Sequence, residues 1–181
     1  MKLNSTFYLF ILLFILTSVD NYSQQMKSDK VDSLIVESVK EDIWMPFMES
    51  YRDLDIKKFT SLYSPEVTRI SIDLNKIESG AEYFENINSF FESIKNMKLQ
   101  MNITFSIVSS ATTKNIVYQT GYYTIGLRKS DKEVYRSSGY SQFSVILIKE
   151  NDSWKINLDS DKQVKLTEEE FIESGIIYKL E

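Results

Sequence analysis

Histidine and cysteine are both absent from the 181-residue chain, and each absence closes off a group of functions. Without histidine there is no His-dependent nucleophile triad and none of the commonest zinc ligand. Proton transfer then falls to carboxylates, tyrosines or lysines, and any metal site would be built from oxygen ligands alone. Without cysteine no disulfide staples the fold, and an N-terminal lipid anchor, which needs a Cys at the cut, is not expected. Arginine is scarce as well: Arg52, Arg69, Arg128 and Arg136 are the only ones, and the formal net charge is −5. That balance lacks the basic footprint of a nucleic-acid binder and argues against docking on anionic lipid. Stability has to come from an apolar core, for which Phe, Tyr, Ile and Leu are plentiful.

The N-terminus reads as an address. Lys2 precedes an unbroken apolar run, Phe7 to Leu16, which fits the h-region of a secretory signal. The run is ten residues long, and a bilayer-spanning helix needs about 20. Cleavage is expected after Ser23, with Ser18 as the alternative site, and an uncleaved membrane anchor is the competing reading. The expected organisation is a signal peptide (1–23), a polar leader (24–30), one folded domain (31–161) and a C-terminal extension with a short helix (162–181). The mature protein is expected to be exported, periplasmic or secreted.

Within the domain, helices come first. Val31, Leu34, Ile35, Val39, Ile43, Trp44, Phe47, Met48 and Tyr51 recur at spacings of three and four, the mark of an amphipathic helix. Pro46 falls inside the pattern and should kink or divide that helix. Asp55 can cap a short helix over Ile56 to Tyr63, which Ser64-Pro65 ends. Val67 to Ile72 reads as a strand. Ser79 with Glu82 then forms a capping-box signature before Tyr83, Phe84, Ile87, Phe90, Phe91 and Ile94.

From Lys98 to Asp159 the pattern is that of sheet. Leu99 to Ile107 alternates apolar and polar residues, and Ile116 to Leu127 and Val134 to Ile148 follow across the charged turn Arg128 to Glu133. Asn151-Asp152 makes a last tight turn before Trp154, Ile156 and Leu158. Short turns between long strands predict an antiparallel meander. Val145 to Ile148 is apolar on both faces, so a partner subunit or the C-terminal tail must cover one of them; a homodimer is expected. Thr167 and Glu170 make a second capping-box signature, and Gly175 can close that short helix in a left-handed conformation.

This order of elements resembles the nuclear transport factor 2-like superfamily, which includes SnoaL-like cyclases and ketosteroid-isomerase-like enzymes. The residues that carry the likeness are Trp44-Met45-Pro46-Phe47, Asp53-Leu54-Asp55, Leu62-Tyr63-Ser64-Pro65, Glu78-Ser79-Gly80, Gly121-Tyr122-Tyr123, Gly139-Tyr140 and Trp154-Lys155-Ile156 with Asp159. The likeness spans about Val31 to Asp161. It implies an α+β fold, a cystatin-like cone in which N-terminal helices pack in a strongly curved antiparallel sheet, with a pocket at the open end. Members use that pocket for several chemistries and for plain binding, so the fold does not decide the activity. The isomerase-like members carry a catalytic acid in the strand after the Leu-Tyr motif. Here Arg69, Ile70 and Ser71 stand there, and the His-Asp pair of dehydratase-like members has no histidine to use.

The candidate site residues each carry two readings. Asp73 is a catalytic base or a residue of the turn that ends its strand. Asp159, with Asp161 beside it, borders the pocket mouth or is a solvated strand terminus. Tyr118, Tyr122, Tyr123 and Tyr140 are pocket phenols or packing residues; alternation puts Tyr122 and Tyr123 on opposite faces, and Tyr122 is expected to point inward. Arg69 and Arg136 hold a ligand carboxylate or form surface pairs. Trp44, Met48 and Tyr51 on the first helix, with Phe91 on the second, are core or pocket wall. Asn102-Ile103-Thr104 matches a glycosylation acceptor. Asp73, Asn75 and Glu78 lack the glycine and the ligand count of a calcium loop, so no metal is expected, and no cofactor is implied. The leading expectation is an exported pocket protein for a small apolar or aromatic molecule. The alternatives are an acid/base lyase or isomerase using Asp73 or Asp159 with a Tyr donor, and a homodimeric interaction module.

Overall fold

The computed structural model describes residues 32–180. The expected signal peptide and polar leader lie outside these residues. No helix among the described residues is long and apolar enough to cross a membrane.

The first apolar stripe folds as one long helix, α1. Residues 32–39 are α-helical, Lys40–Trp44 make a π-helical turn, and Met45–Asp53 resume the α-helix. The expected break at Pro46 takes the form of that π turn. Proline has no N–H to return to the preceding turn, and the Met45 N–H reaches back five residues to the Lys40 carbonyl. The helix widens by one residue and continues. Asp42 on the widened turn accepts the Trp154 N–H at 3.0 Å, tying the helix to the sheet. Asp55 caps α2 (Ile56–Ser61), accepting from the N–H groups of Lys57 and Lys58 at 3.0 Å each.

Helix α3 (Gly80–Asn96) starts where expected but without the capping box. Glu82 is drawn away by Lys76, at 2.8 Å, and the Ser79 side chain caps nothing. In α4 (Glu168–Glu173) the box does form, between Thr167 and Glu170. Gly175 is not the left-handed closure expected there, since the only positive-φ glycine among the described residues is Gly139. Gly175 is small for another reason: a Cβ would stand 2.2 Å from the Ile107 carbonyl oxygen.

Seven strands form one sheet in the order β2-β1-β6-β5-β4-β3-β7. They are β1 (Tyr63–Ser71), β2 (Lys76–Ser79), β3 (Gln100–Thr112), β4 (Ile116–Arg128), β5 (Arg136–Glu150), β6 (Ser153–Val164) and β7 (Ile176–Tyr178). The four long strands β3 to β6 are the expected antiparallel meander. The β5–β6 turn is held by Asn151 and Asp152 with φ of 50° and 64°, the primed-turn geometry that matches strand twist. Two small strands, β2 and β7, have no counterpart in the sequence pattern. Nor does the parallel pairing of β1 with β6, which brings the two ends of the domain together.

The sheet bends because its ladders contain bulges. Register shifts occur between Ile107 and Ser109 in β3 and between Ile146 and Leu147 opposite β6. Each extra residue kinks its strand and increases the twist. The concave side wraps α1 and α3. Val145 and Leu147 face the helices and are buried, while Ile146 and Ile148 are half-buried on the outer side. The C-terminal tail covers one end of that outer side: the Phe171 ring lies 5.1 Å from the Tyr140 ring, and the Ser174 and Ser106 hydroxyls are 2.7 Å apart.

Inside the cone the core is dominated by rings. Phe59 of α2 is fully buried and touches six of them, with centroids from 5.0 to 6.5 Å away at Tyr63, Phe47, Tyr83, Phe91, Tyr51 and Phe84. Trp44 is buried against Phe105 and Phe143 and donates its indole N–H to the Gln119 carbonyl oxygen at 2.8 Å. Gly121 lets Phe143 lie across β4, where a Cβ would come within 2.8 Å of that ring.

Candidate functional site

Between the two long helices and the concave face lies a cavity of about 220 Å³. Eight of its fifteen lining residues are aromatic, among them Trp44, Phe47 and Tyr51 from α1 and Phe90 from α3. Its polar end is built where β1 and β6 run side by side, with Arg69 opposite Asp159 in the ladder.

The position of Asp159 depends on a bulge. Trp154 and Ile156 face the core, so strict alternation would turn Leu158 inward and Asp159 out. The β5–β6 register runs Leu147 to Ile156 and then Ile146 to Leu158, which leaves Asn157 as an extra residue. One added residue reverses the parity of everything after it. Asp159 and Asp161 therefore point into the cone, and the lining includes both.

There they close a network. Arg69 Nη1 donates to Asp159 Oδ1 at 3.3 Å, and Nη2 pairs with Asp161 Oδ1 at 2.6 Å. The phenols of Tyr63 and Tyr83 donate to Asp159 Oδ2 at 3.0 and 3.4 Å, and Tyr123 donates to Asp161 Oδ2 at 2.5 Å. The Arg69 guanidinium also lies 5.1 Å from the Tyr83 ring centroid. Its Nε is buried with no hydrogen-bond partner among the described residues. The Tyr51 hydroxyl, on a residue that lines the cavity, has no hydrogen bond to any described residue.

Burial sets the electrostatics. Asp159 is 9% exposed, and taking its carboxyl out of water pushes its pKa up; Arg69 pulls the other way without reversing it. Burial works against the Arg69 charge too, but Asp159, Tyr83 and Asp161 outweigh it and keep the guanidinium charged. Tyr51, Tyr63, Tyr83 and Tyr123 are all pushed above the ordinary phenol range, by burial first and by the neighbouring carboxylates and phenols next. None of the four is a base, and Tyr63, Tyr83 and Tyr123 act as donors to the carboxylates. Among the described residues no group of three or more acidic side chains is arranged to hold a metal ion.

Of the residues singled out from the sequence, Trp44, Tyr51, Arg69 and Asp159 meet at this cavity. Met48 and Phe91 are fully buried in the core behind it and are not among its lining. Tyr122 is a correction: the inward residue of the pair is Tyr123, because Val117, Gln119 and Gly121 set the inward parity of β4. Tyr118 is exposed on the outer face, with its hydroxyl 3.5 Å from Ser144. Tyr140 packs under the C-terminal tail, and Arg136 is exposed at the start of β5. Asp73 is a turn residue, its carboxylate accepting the Gln163 N–H at 2.5 Å outside the cavity.

Sequence reasoning passed over Tyr63 and Tyr83 as site residues. Both read as ordinary apolar-face positions of their elements; the parallel β1–β6 pairing brings the Tyr63 hydroxyl to Asp159, and the packing of α3 on β1 brings that of Tyr83.

No protein-family model matches the sequence, and no curated protein does. Solved structures do match. ActVI-ORFA from Streptomyces coelicolor aligns with a TM-score of 0.63 at 9% identity, over 75% of this chain and 98% of that one. Aln2 from a Streptomyces species aligns at 0.58 and 11% identity, over 71% and 90%. An NTF2-like protein of unknown function from Shewanella oneidensis aligns at 0.50 and 16% identity, over 70% and 94%. Identities this low speak for architecture alone. The chain has the α+β cone of the nuclear transport factor 2-like fold, with the helices cupped in a curved sheet.

Proposed function

We propose that this chain is an exported binding protein for a small, mainly aromatic molecule, held in the cavity between α1, α3 and the concave sheet. The observation that carries the reading is the make-up of that cavity: an aromatic wall with a single polar end. Pockets of this kind take an apolar body and fix its orientation with a few hydrogen bonds. A cavity of about 150 Å³ accommodates benzene, so 220 Å³ suits one ring with a short substituent. Binding is favoured over turnover because both oxygens of Asp159 already accept hydrogen bonds from Arg69, Tyr63 and Tyr83. A general base needs a free oxygen facing its substrate.

Thermal unfolding against a panel of single-ring alcohols and amines tests the reading. A ligand at one hundred times its Kd should add about 2.7 kcal/mol of stability, a rise of several degrees in Tm. Ile125→Trp, which fills the cavity from β4, should remove that rise. An unchanged rise in the variant would place binding elsewhere.

Export rests on the Lys2 and Phe7–Leu16 signal pattern. N-terminal sequencing of protein recovered from the expressing cell should begin at Gln24. A start at Met1 contradicts export by cleavage.

A further inference from the structure

We propose that the cavity selects small organic cations, an ammonium group carried on an apolar body the size of one ring. The proposal rests on the cavity being a small-molecule site and names the chemical class that site takes.

Charge balance is the first argument. Among the described residues, two carboxylates, Asp159 and Asp161, line the cavity with one cation, Arg69, and no lysine. Both terminal nitrogens of the cation are already paired, Nη1 with Asp159 and Nη2 with Asp161. Its Nε is buried. An anionic ligand would therefore meet two carboxylates and a guanidinium whose charge they already balance. An ammonium would meet the excess negative charge.

The wall supplies the second argument. Aromatic faces carry negative quadrupole density, and a cage of them attracts an ammonium once water is excluded. One such contact already exists in the cavity, between the Arg69 guanidinium and the Tyr83 ring. Trp44, Phe47, Phe90 and Phe105 offer further rings to a second cation.

An unmet acceptor is the third. The Tyr51 hydroxyl has no hydrogen bond to any described residue and lies on the same lining as the two carboxylates. Its lone pairs can take an ammonium N–H. A hydrocarbon ligand would leave it unused.

The test is calorimetric titration of protein purified from cells expressing the full-length chain with three ligands of one shape. These are 2-phenylethylammonium, 2-phenylethanol and 3-phenylpropionate. The ammonium should bind about ten-fold tighter than the alcohol, the size of a desolvated cation–π contact with its charge partner, and the propionate weakest. Asp161→Asn should shrink the advantage of the ammonium over the alcohol. The wild-type series decides the matter alone if that variant does not fold. An alcohol or propionate that binds as tightly as the ammonium overturns the cation preference and leaves a neutral or anion pocket. If none of the three binds, the small-molecule reading falls, and the cation preference with it.

Discussion

Arg69→Met is expected to destabilise the protein by about 3–5 kcal/mol at neutral pH, the usual result of stripping one partner from a buried ion pair. Arg69 is 8% exposed and is the only ion-pair partner of Asp159 and Asp161 among the described residues. Methionine keeps much of the side-chain volume over the Tyr83 ring, so the loss reports charge more than packing. The effect should depend on pH with a definite sign. The folded Asp159 pKa already lies above its unfolded value, because burial raises it. A carboxyl raised in this way contributes stability below its unfolded pKa and loses it as pH rises through the folded one. Removing Arg69 takes away the influence that lowers it, so the folded pKa climbs further. The penalty of the variant should therefore be small near pH 4, where carboxyls begin to protonate, and grow toward about pH 7. Urea unfolding at both pH values measures it. A loss under about 1 kcal/mol at neutral pH would mean a water-exposed pair.

Phe59→Ala should cost about 3–5 kcal/mol, the range for emptying a fully buried aromatic site. Phe59 is 0% exposed and is the common neighbour of Tyr51, Tyr63 and Tyr83. The first lines the cavity with a hydroxyl that has no hydrogen bond to any described residue, and the other two hold Asp159. The truncation should thus weaken ligand binding as well as stability, although Phe59 does not line the cavity. Phe90→Ala makes the contrast. Phe90 is half-buried on the lining, so its loss should affect affinity more and stability by less than half as much. Urea midpoints with ligand titrations separate the two. Equal stability losses would show that the ring cluster is not organised around Phe59.

The helical stripe, the Asp55 cap, the meander and the Asn151-Asp152 turn were all legible because each is a local signal. The site was harder for identifiable reasons. β4 is about as apolar outside, with Ile116, Tyr118 and Tyr122, as inside, with Val117, Gln119, Gly121 and Tyr123. Alternation separates Tyr122 from Tyr123 but gives no direction. On β6 the Asn157 bulge reverses parity, and a bulge leaves no trace in a hydrophobic pattern. The pairing of Arg69 with Asp159 spans ninety positions of sequence and needs a parallel contact that no local rule foresees. The capping box at Ser79 failed for a similar reason, since Lys76 on β2 competes for Glu82.

Whether a ring enters the cone can be seen directly. Diffraction from crystals grown with 4-bromobenzyl alcohol, at a wavelength where bromine scatters anomalously, locates the ligand without interpretation of weak density. The bromine should appear between Trp44 and the Asp159–Asp161 pair, with Arg69 still bridging the two carboxylates. Bromine found only on the outer surface, or a cone interior closed by its own side chains, would contradict binding in the cone.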